Sequence, residues 1–499
     1  MRTVTGGEES KVDRVGVSVI VLCLLLILGA TVAPKAAGAY IPTLQIVGDI
    51  ENALDIRGVE GLDLQTITYG DRTLHAVSID ELLKIAKPRS RSDVIYSAPD
   101  LAARVDASLL ANSYLAFTPE NGWEVLNFDH PTSSNIKRLE QIIAVAHELE
   151  WDDRITIISP IENIAYFSIG QLHASSQYVH WEYNGSATFT HDTVGYTSSV
   201  YTKSPAVTLS DLAGEADLGR VLVVGGSGEM AVYKGGMFLL RPNHVDFVAE
   251  GRRGMVKNVK GIILNSPVSS NSDAFHDALH FLGAGRSVLL VILDGFGYHQ
   301  YAYASDNGYL PFMSSLGEAQ RVLSVYQPVT NAGLASILTG VGPEQNGVMS
   351  RNQRSLTSQD LFEVATEMGK MSAYIVGDRH IINVSMEPVY NLDLNQSGST
   401  DDEILATTLL YAKKDVDLVV AHFKDIDRSG HTFGDLSLQT MLTIAETDRY
   451  LEELITSWDG MVIVAVDHGM HSTLDGGGHG LLRYEDMFVP YFILEGGKR

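Results

Sequence analysis

The sequence predicts an α/β protein with two different halves. The C-terminal half is expected to hold a doubly wound, mostly parallel sheet with helices on both faces, and the N-terminal half a β-rich α+β domain. After residue 280, apolar runs of strand length alternate with amphipathic helical segments, whereas residues 40–270 consist of short strand-like stretches separated by Gly, Asp, Asn and Pro. With 499 residues, the chain is long enough for two or three domains.

Residues 1–39 predict a signal peptide or a membrane anchor. Lys11 and Arg14 precede an apolar stretch from Val15 to Val32, and small residues follow at Ala37 and Ala39, as in a cleavage site. The apolar stretch is long for a cleaved signal and near the minimum for a membrane span, so both alternatives stay open. Either one predicts an extracytoplasmic protein, secreted or anchored to the membrane.

Charge and cysteine content exclude several classes of function. The formal net charge of -25 disfavours nucleic-acid binding, which depends on Lys and Arg. The single cysteine, Cys23, lies in the export segment, so the rest of the chain can form no disulfide, thiolate zinc site or cysteine nucleophile. Any metal must therefore be held by His, Asp and Glu. Nothing in the sequence fixes the oligomeric state.

Two stretches of the β-rich half share one order of elements. His75 to Leu110 and Pro205 to Leu240 each contain an apolar pair, a Ser/Asp turn, a Leu-bearing turn and two strands. This similarity favours an internal duplication within residues 40–270, with a chance resemblance as the alternative. The polar stretch from Asn265 to Ala274 is interpreted as a linker to the α/β domain, residues 280–499. One hypothesis for the β-rich half is a cap over the site of the other half.

The C-terminal half alternates strands and helices. Strands are predicted at Ser287–Leu293, Arg321–Tyr326, Ser372–Gly377, Val416–Phe423, Met461–Val466 and Phe488–Leu494. Helices are predicted just before Gly340 and over Ser358–Gly369, Asp401–Lys414 and Leu436–Trp458. The third helix begins with acidic residues and ends with lysines, which suits the helix dipole.

Metal-ligand side chains follow three of these strands. Asp294 comes directly after the first strand, Asp427 and His431 come shortly after the fourth, and Asp467 and His468 come directly after the fifth. Because parallel strands end at one edge of the sheet, these side chains and His479 in the next loop are expected to meet there. Each one alone would fit a helix cap or a turn residue equally well.

Such a convergence of carboxylates and imidazoles requires cations. Three unpaired carboxylates in one site would repel each other. Six oxygen and nitrogen ligands without sulfur suit two divalent ions about 4 Å apart, the arrangement used for displacement at phosphorus. Zn²⁺ is the favoured metal, with Mn²⁺ and iron as alternatives. The two cations would give an acidic protein a locally positive pocket for a small phosphorylated substrate.

Thr330 is the candidate nucleophile. It lies between a predicted strand and a short predicted helix. A hydroxyl at a helix N-terminus is favoured as an oxyanion, and neighbouring amides can hold phosphate oxygens. The alternative is that Thr330 is only an N-cap.

Five motifs in order carry a family resemblance: LDGFG, PVTNAGLASILTGVGPEQNGV, DIDRSGH, VDHGM and GGHG. Over residues 285–499 the chain resembles the alkaline phosphatase superfamily, mainly its type I phosphodiesterase/nucleotide pyrophosphatase branch, with phosphonoacetate hydrolase as a near relative. The resemblance implies an alkaline-phosphatase-like fold with two metal sites. One metal would bind Asp294, Thr330, Asp467 and His468, and the other Asp427, His431 and His479.

The resemblance also implies a double displacement. Thr330 would become an alkoxide, attack phosphorus and form a phospho-threonine intermediate, which water then hydrolyses. Asn331 or Asn352 would donate a hydrogen bond to a non-bridging oxygen. Ala332-Gly333 stand where this branch usually has Pro-Asn, so substrate choice does not carry over.

Four other residues have open or minor roles. Arg379-His380, which follow a strand, either contact substrate or form an exposed loop pair. His471 in the glycine-rich loop is expected to face solvent. Arg351 stands near the position where the family has a phosphate-contacting Asn, with Asn352 next to it.

The sequence thus predicts an exported, metal-dependent phosphodiesterase or nucleotide pyrophosphatase-like hydrolase. A phosphonate hydrolase and a phospho-group transferase are alternatives on the same site. An alternative of another class is a surface binding protein with a vestigial hydrolase domain. The complete set of six ligands plus threonine argues against a vestigial site.

Overall fold

The structure is a computed structural model that describes residues 41–191, 193–249 and 254–497. Its N-terminal half consists mainly of short strands. Its strands are β1 (Leu44–Gly48), β2 (Leu54–Ile56), β3 (Gln65–Tyr69), β4 (Arg72–Ser78), β5 (Ser92–Ser97), β6 (Ala102–Val105), β7 (Ser113–Thr118), β8 (Gly122–Asn127), β9 (Gln141–Ala146), β10 (Ile155–Ile158), β11 (Asn163–Phe167), β12 (Tyr178–His191), β13 (Val194–Thr208), β14 (Val221–Gly225), β15 (Met230–Tyr233), β16 (Gly236–Leu240), β17 (Val245–Ala249), β18 (Met255–Val256) and β19 (Val259–Ile263). Its α-helices are α1 (Ile79–Ala86), α2 (Ile169–Ser175) and α3 (Leu209–Ala213), and 3-10 helices span Ala107–Asn112, Thr132–Ser134 and Trp151–Asp153.

The predicted export segment, residues 1–39 with Cys23, lies outside the described residues. Among the residues that are described, no helix is long and apolar enough to cross a membrane.

The β-rich half contains one strand arrangement twice. Two five-stranded sheets have the orders β2-β1-β9-β5-β6 and β11-β10-β19-β14-β15. Along each order the pairings are antiparallel, parallel, antiparallel and antiparallel. The antiparallel meanders β3-β4-β7-β8 and β12-β13-β16-β17 also correspond, and β18 extends the second. The two stretches with similar sequence order fall on β4-α1-β5-β6 and β13-α3-β14-β15, which are equivalent positions in this arrangement.

The C-terminal half alternates helices and strands. Its helices are α4 (Asp273–Gly283), α5 (Tyr298–Asp306), α6 (Pro311–Ser315), α7 (Thr330–Thr339), α8 (Pro343–Asn346), α9 (Leu361–Glu367), α10 (Asp401–Tyr411), α11 (Asp425–Phe433), α12 (Leu438–Ser457) and α13 (Tyr484–Met487). Its strands are β20 (Val288–Leu293), β21 (Gln320–Leu323), β22 (Ser372–Val376), β23 (Val389–Tyr390), β24 (Leu418–Phe423), β25 (Met461–Val466), β26 (His471–Thr473), β27 (Gly476–Gly478) and β28 (Phe488–Glu495).

The main sheet of this half has the order β21-β28-β25-β20-β24-β22-β23. Strands β25, β20, β24, β22 and β23 are parallel, and β28 runs antiparallel to both of its neighbours. Every residue of β20 and β24 is buried, which explains why these strands are apolar apart from His422. The predicted mixed α/β class is confirmed.

The stretch from Asn265 to Ala274 is tied to the main sheet and is not a free linker. Ser270 bridges to Leu323. The fully buried Asn271 donates Nδ2 hydrogen bonds to the carbonyl oxygens of Val466 (3.1 Å) and Asp467 (3.0 Å). This polar stretch therefore supports the end of β25.

The two halves share one apolar core. Ile158, Leu222 and Ile263 of the β-rich half belong to the same buried cluster as β20, β24 and β25. Residues 42–499 accordingly form one compact unit.

Candidate metal centre

Three neighbouring strands of the main sheet end side by side. In the parallel pairing, Leu293 at the end of β20 lies opposite Phe423 of β24 and Val466 of β25. The residues that follow, Asp294 and Asp467 among them, therefore start at one level at the carboxyl edge of the sheet. This edge is where α/β folds bind ligands.

Cluster A consists of Asp294, Asp467 and His468, whose ligand atoms lie within 4.8 Å of one another. His468 Nε2 lies 3.3 Å from Asp294 Oδ1 and 3.7 Å from Asp467 Oδ2. All three residues are buried. Two carboxylates and an imidazole thus share a site with little access to water.

Thr330 is the first residue of α7, and its hydroxyl faces cluster A. Its Oγ1 lies 3.1 Å from His468 Nε2 and 3.4 Å from Asp294 Oδ1. The N-cap of α7 is Val329, so the alternative that Thr330 is only an N-cap is wrong. At this position the helix dipole and the first free amides favour an oxyanion.

Glycines permit the close approach of two helices to the site. A Cβ at Gly333 would lie 2.4 Å from the carbonyl oxygen of Asp467, so a larger residue would move α7 away. This contact gives a physical reason for the glycine at position 333. Gly295 has a φ of +74°, and a Cβ there would lie 2.8 Å from Asp427 Cβ, so glycine brings α11 next to the end of β20.

Cluster B consists of Asp427, His431 and His479, whose ligand atoms also lie within 4.8 Å of one another. Asp427 and His431 lie four residues apart on α11, a helix that the sequence analysis did not predict, and so share one face. His431 Nε2 and His479 Nε2 lie 3.4 and 3.6 Å from Asp427 Oδ1. His479 reaches this site from the loop after β27.

The two clusters adjoin through their imidazoles. The rings of His468 and His479 stack with centroids 3.7 Å apart and an interplanar angle of 12°. The His431 ring centroid lies 5.0 Å from that of His479. Clusters A and B therefore form one continuous site.

All three imidazoles direct Nδ1 toward a backbone carbonyl. The acceptors are Gly477 O for His431 (2.9 Å), Gly469 O for His468 (2.9 Å) and Pro328 O for His479 (3.1 Å). A proton on Nδ1 leaves Nε2 to face the carboxylates of the clusters. This arrangement is typical of metal-ligating histidines, whose second nitrogen is held by an outer hydrogen bond.

The charged groups of the site perturb one another. Burial and the neighbouring Asp294 carboxylate raise the pKa of Asp467 well above its usual value and that of Asp427 to about 6. Burial lowers the pKa of His468, but the carboxylates of Asp467 and Asp294 outweigh it and raise the pKa to about 10. For Asp294, burial is outweighed by the adjacent imidazoles of His422 and His468, which hold its pKa well below the usual range.

Two buried carboxylate oxygens indicate that the clusters fit cations. Asp427 Oδ1 and Asp467 Oδ2 have no hydrogen-bond partner among the described residues. Buried carboxylate oxygens are nearly always bonded, so each of these atoms is available to another ligand. One such oxygen lies in each cluster, and the oxygen and nitrogen donors suit Zn²⁺, Mn²⁺ or iron.

Two residues at the site had no role assigned from the sequence. His422, fully buried in β24, places Nε2 3.2 Å from Asp294 Oδ2. Arg351 Nη2 lies 3.0 Å from His479 Nε2. A histidine within an otherwise apolar strand was the available signal for His422. Arg351 could have been found from its place beside the position of the family's asparagine.

Other residues from the sequence analysis lie apart from the clusters. Asn331 is buried and donates Nδ2 to the carbonyl of Gln353 (2.7 Å). Asn352 is exposed, and its side chain makes no hydrogen bond with the described residues. The expectation that His471 faces solvent is wrong, because it is 6% exposed and its Nδ1 lies 2.7 Å from Asp486 Oδ1.

A cavity of about 580 Å³ opens beside both clusters. Its lining includes Asp294 and Thr330 at cluster A, and Asp427 and His431 at cluster B. All lining residues fall between 294 and 432, so the β-rich half contributes none of them. The hypothesised cap is therefore not part of this cavity wall.

Residues 356–489 match the family model of type I phosphodiesterase / nucleotide pyrophosphatase, which confirms the resemblance seen in the motifs. The matched segment contains cluster B together with Asp467 and His468, and it begins after Asp294 and Thr330. No curated protein matches the chain.

Several solved structures are similar to part of the chain. They include murine ectonucleotide pyrophosphatase / phosphodiesterase 5, an inactive variant in complex with AMP, at 20% identity and a TM-score of 0.31, covering 37% of this chain and 57% of that one. The human protein of the same name has 19% identity and a TM-score of 0.30, covering 37% and 57%. Phosphonoacetate hydrolase from Sinorhizobium meliloti 1021, in complex with phosphonoformate, has 16% identity and a TM-score of 0.30, covering 37% and 56%. The chain thus spans little more than half the length of each.

Proposed function

We propose that this protein is an exported two-metal hydrolase of phosphoric esters that cleaves a phosphodiester or pyrophosphate bond through a phospho-threonine intermediate. The observation that carries the proposal is the position of the Thr330 hydroxyl, 3.1 Å from His468 Nε2 in cluster A, with cluster B stacked beside it. The family match over residues 356–489 supports hydrolysis of phosphoric esters.

The two clusters would hold the two cations. Asp294, Thr330, Asp467 and His468 would bind one ion, and Asp427, His431 and His479 the other. Zn²⁺ is the favoured ion, with Mn²⁺ and iron as alternatives. Such cations lower the pKa of a bound hydroxyl or water and neutralise charge on phosphoryl oxygens.

The chain's own residues carry the covalent steps. Oγ1 of Thr330 forms a bond to phosphorus while the bond from phosphorus to the leaving oxygen breaks on the opposite side, and the hydroxyl proton passes through solvent to the leaving oxygen. The first amides of α7 face the phosphoryl oxygens and stabilise their charge. Water then attacks the phospho-threonine, which releases the phosphoryl product and restores the Thr330 hydroxyl. Asn331 or Asn352 is the proposed hydrogen-bond donor to a phosphoryl oxygen.

We assign the C-terminal half to an alkaline-phosphatase-like, doubly wound fold. Two observations support this assignment: the main sheet has five parallel strands, and the candidate site lies at their carboxyl ends. The β-rich half is proposed to derive from an internal duplication, with catalytic residues confined to 280–499. The repeated strand order and pairing directions support the duplication.

Export is proposed from the sequence of residues 1–39 alone. A charged start, an apolar stretch and small residues at the cleavage position support it. A mature N-terminus at Tyr40 would indicate a cleaved signal, and an intact N-terminus a membrane anchor.

The alternatives differ in what the site acts on. A phosphonate hydrolase or a phospho-group transferase would use the same clusters. A surface binding protein with a vestigial site would have no need for two complete ligand sets with unpartnered carboxylate oxygens.

The test compares three substrates with the purified full chain. Bis-p-nitrophenyl phosphate, p-nitrophenyl phosphate and phosphonoacetate are each offered to protein loaded with Zn²⁺, Mn²⁺ or Fe²⁺. The proposal expects the diester to be cleaved fastest and EDTA to abolish turnover. Faster cleavage of phosphonoacetate would favour the phosphonate hydrolase. Absence of both turnover and bound metal would favour the binding protein.

A further inference from the structure

The cavity beside the clusters has a second chemical feature on the wall formed by the loops after β22 and β24. We propose that Arg379 and Lys424 form a subsite for a second anionic group of the substrate. The inference rests on the proposed function and narrows its substrate class. The substrates would be small phosphoric esters with an additional carboxylate, sulfonate or phosphate group, in preference to nucleoside esters.

Lys424 is a half-buried cation with unused hydrogen-bonding capacity. It directly follows β24, and its side chain lines the cavity together with Asp294 and Thr330. Its Nζ donates one hydrogen bond, to the carbonyl oxygen of Arg379 at 2.9 Å, and has no carboxylate within ion-pair distance among the described residues. An ammonium group has three donors, so two remain for a ligand. Burial lowers the pKa of Lys424, and the carboxylates of Asp294 and Asp378 oppose this shift only in part.

Arg379 adds a second cation to the same wall. Its carbonyl holds the Lys424 ammonium, so the two residues are fixed next to each other. The Arg379 guanidinium makes no hydrogen bond or ion pair with the residues that the structure describes. An unpaired guanidinium on a cavity wall can bind a carboxylate or phosphate through two parallel hydrogen bonds.

Neighbouring charges leave this pair available. Arg428, a third cation of the cavity, is bound by the Asp425 carboxylate and the Gly398 carbonyl, so it is already paired. Asp425 also accepts a hydrogen bond from the Ser399 hydroxyl. The carboxylate of Asp393 accepts hydrogen bonds from two backbone amides of its own loop.

Asp378 is the remaining acid of the wall outside the two clusters. Arg379 and Lys424 are the cations of this wall that have no ion-pair partner among the described residues. The lining as a whole holds five carboxylates and three Lys or Arg side chains, so these two cations mark the part of the wall that an anionic group can approach.

The rest of the lining argues against a nucleobase. No Phe, Tyr or Trp side chain is among the described residues that line the cavity, and Ile381 is the largest apolar one. Binding sites for bases usually stack them on aromatic rings, and sites for larger organic ligands are mostly apolar. A polar wall with two cations instead suits a short, charged substituent.

The experiment uses three p-nitrophenyl phosphodiesters with the same leaving group and different second arms: carboxymethyl, ethyl and 5′-thymidine. For the metal-loaded full chain, kcat/KM is expected to be at least about tenfold higher for the carboxymethyl ester than for the other two. Arg379→Gln and Lys424→Gln are each expected to lose about tenfold on the carboxymethyl ester and less than about threefold on the ethyl ester. Lys413→Gln is the control: Lys413 is exposed, lies two residues after α10, and its replacement is expected to change neither value.

The outcomes separate the subsite from the proposed function. Hydrolysis of all three esters without a preference for the carboxylate would overturn the subsite and leave the hydrolase proposal standing. The same holds if the thymidine ester is the best substrate. Equal losses on the carboxymethyl and ethyl esters would show that the two cations only hold the loop in place. If no ester is hydrolysed by metal-loaded protein, both proposals fail.

Discussion

Two buried aspartates, each directly after a strand, show how the two halves of the chain differ. Asp49 follows β1 and is 1% exposed. Its Oδ1 accepts a hydrogen bond from the Gly170 amide (2.8 Å), and its Oδ2 accepts from the Ala146 amide (2.9 Å) and the Ser168 hydroxyl (2.7 Å). Asp467 follows β25 and is 0% exposed, but only its Oδ1 accepts hydrogen bonds, and Oδ2 has no partner among the described residues.

This difference separates a structural acid from a ligand-binding one. An unsatisfied buried polar atom costs about 1–3 kcal/mol, so an unbonded carboxylate oxygen beside imidazole nitrogens favours a bound cation. The β-rich half satisfies its buried acids, as Glu124 does with Arg72, Asn121 and Thr118. At the carboxyl edge of the main sheet, by contrast, one carboxylate oxygen in each cluster, Asp467 Oδ2 and Asp427 Oδ1, has no hydrogen-bond partner among the described residues.

Replacement of the proposed nucleophile has the largest expected effect. Thr330→Ala is expected to lower kcat at least ~10³-fold, because no covalent intermediate can form. Bound metal should remain, since three protein ligands of cluster A are kept. Thr330→Ser, which retains a hydroxyl, is the matched control and should keep part of the activity. A fully active Thr330→Ala protein would mean that a water molecule attacks first.

The matched pair Asp49→Ala and Asp467→Asn tests the comparison itself. Asp49→Ala is expected to lower the free energy of unfolding by about 2–3 kcal/mol, because it leaves buried donors unpaired, and to leave bound metal unchanged. Asp467→Asn is expected to lose turnover and the metal of cluster A. Without metal it should unfold at the same or a higher temperature than the wild type, because repulsion from Asp294 is removed.

Thermal unfolding with and without EDTA measures both members of this pair. The distinction between structural and ligand-binding acids would be contradicted if Asp467→Asn destabilised the EDTA-treated protein as much as Asp49→Ala does.

His422 is expected to act as a positioning residue behind cluster A. Its Nε2 lies 3.2 Å from Asp294 Oδ2, the oxygen opposite the one that faces Thr330. His422→Phe should reduce metal affinity and kcat by about 10–100-fold, the usual effect of losing a polar outer partner of a metal ligand. His422→Gln, which retains a donor, should recover part of the loss. Equal effects of the two variants on metal affinity would indicate a packing role only.

Metal affinity should fall as the pH is lowered. Asp427 must be ionised to bind a cation, and burial with the nearby Asp294 carboxylate raises its pKa to about 6. Protons therefore compete with metal below that pH, and each further unit should cost about tenfold in affinity from this group alone. Titration of metal-free protein between pH 8 and pH 5 measures the effect. An affinity that is constant over this range would contradict the assigned role of Asp427.

The strands and ligand residues of the C-terminal half were predictable for a physical reason. Strands buried on both faces must be apolar throughout, so Val288–Leu293 and Met461–Val466 were recognisable without a partner. A carboxylate directly after such a run marks the sheet edge, which identified Asp294 and Asp467. Helix α11 was missed because DIDRSGH has no apolar period, although it presents Asp427 and His431 on one face.

Pairing between distant segments could not be read from the sequence. The polar stretch around Asn271 looked like a linker, because its hydrogen bonds to the end of β25 are nearly two hundred residues away. The two cations of the proposed subsite meet for the same reason: the loop after β22 folds against the start of α11, and no sequence period reports such a contact. The likeness of the two β-rich stretches was visible only as an order of short elements, whereas sheet topology makes the repeat explicit.

The number of metal ions bound per chain tests the central claim most directly. Elemental analysis of the purified full chain, after removal of loosely bound metal, is expected to give two divalent ions per chain. Asp467→Asn and Asp427→Asn should each retain about one, and the double variant none. A wild-type protein that binds no ion, or variants that both keep two, would contradict the account.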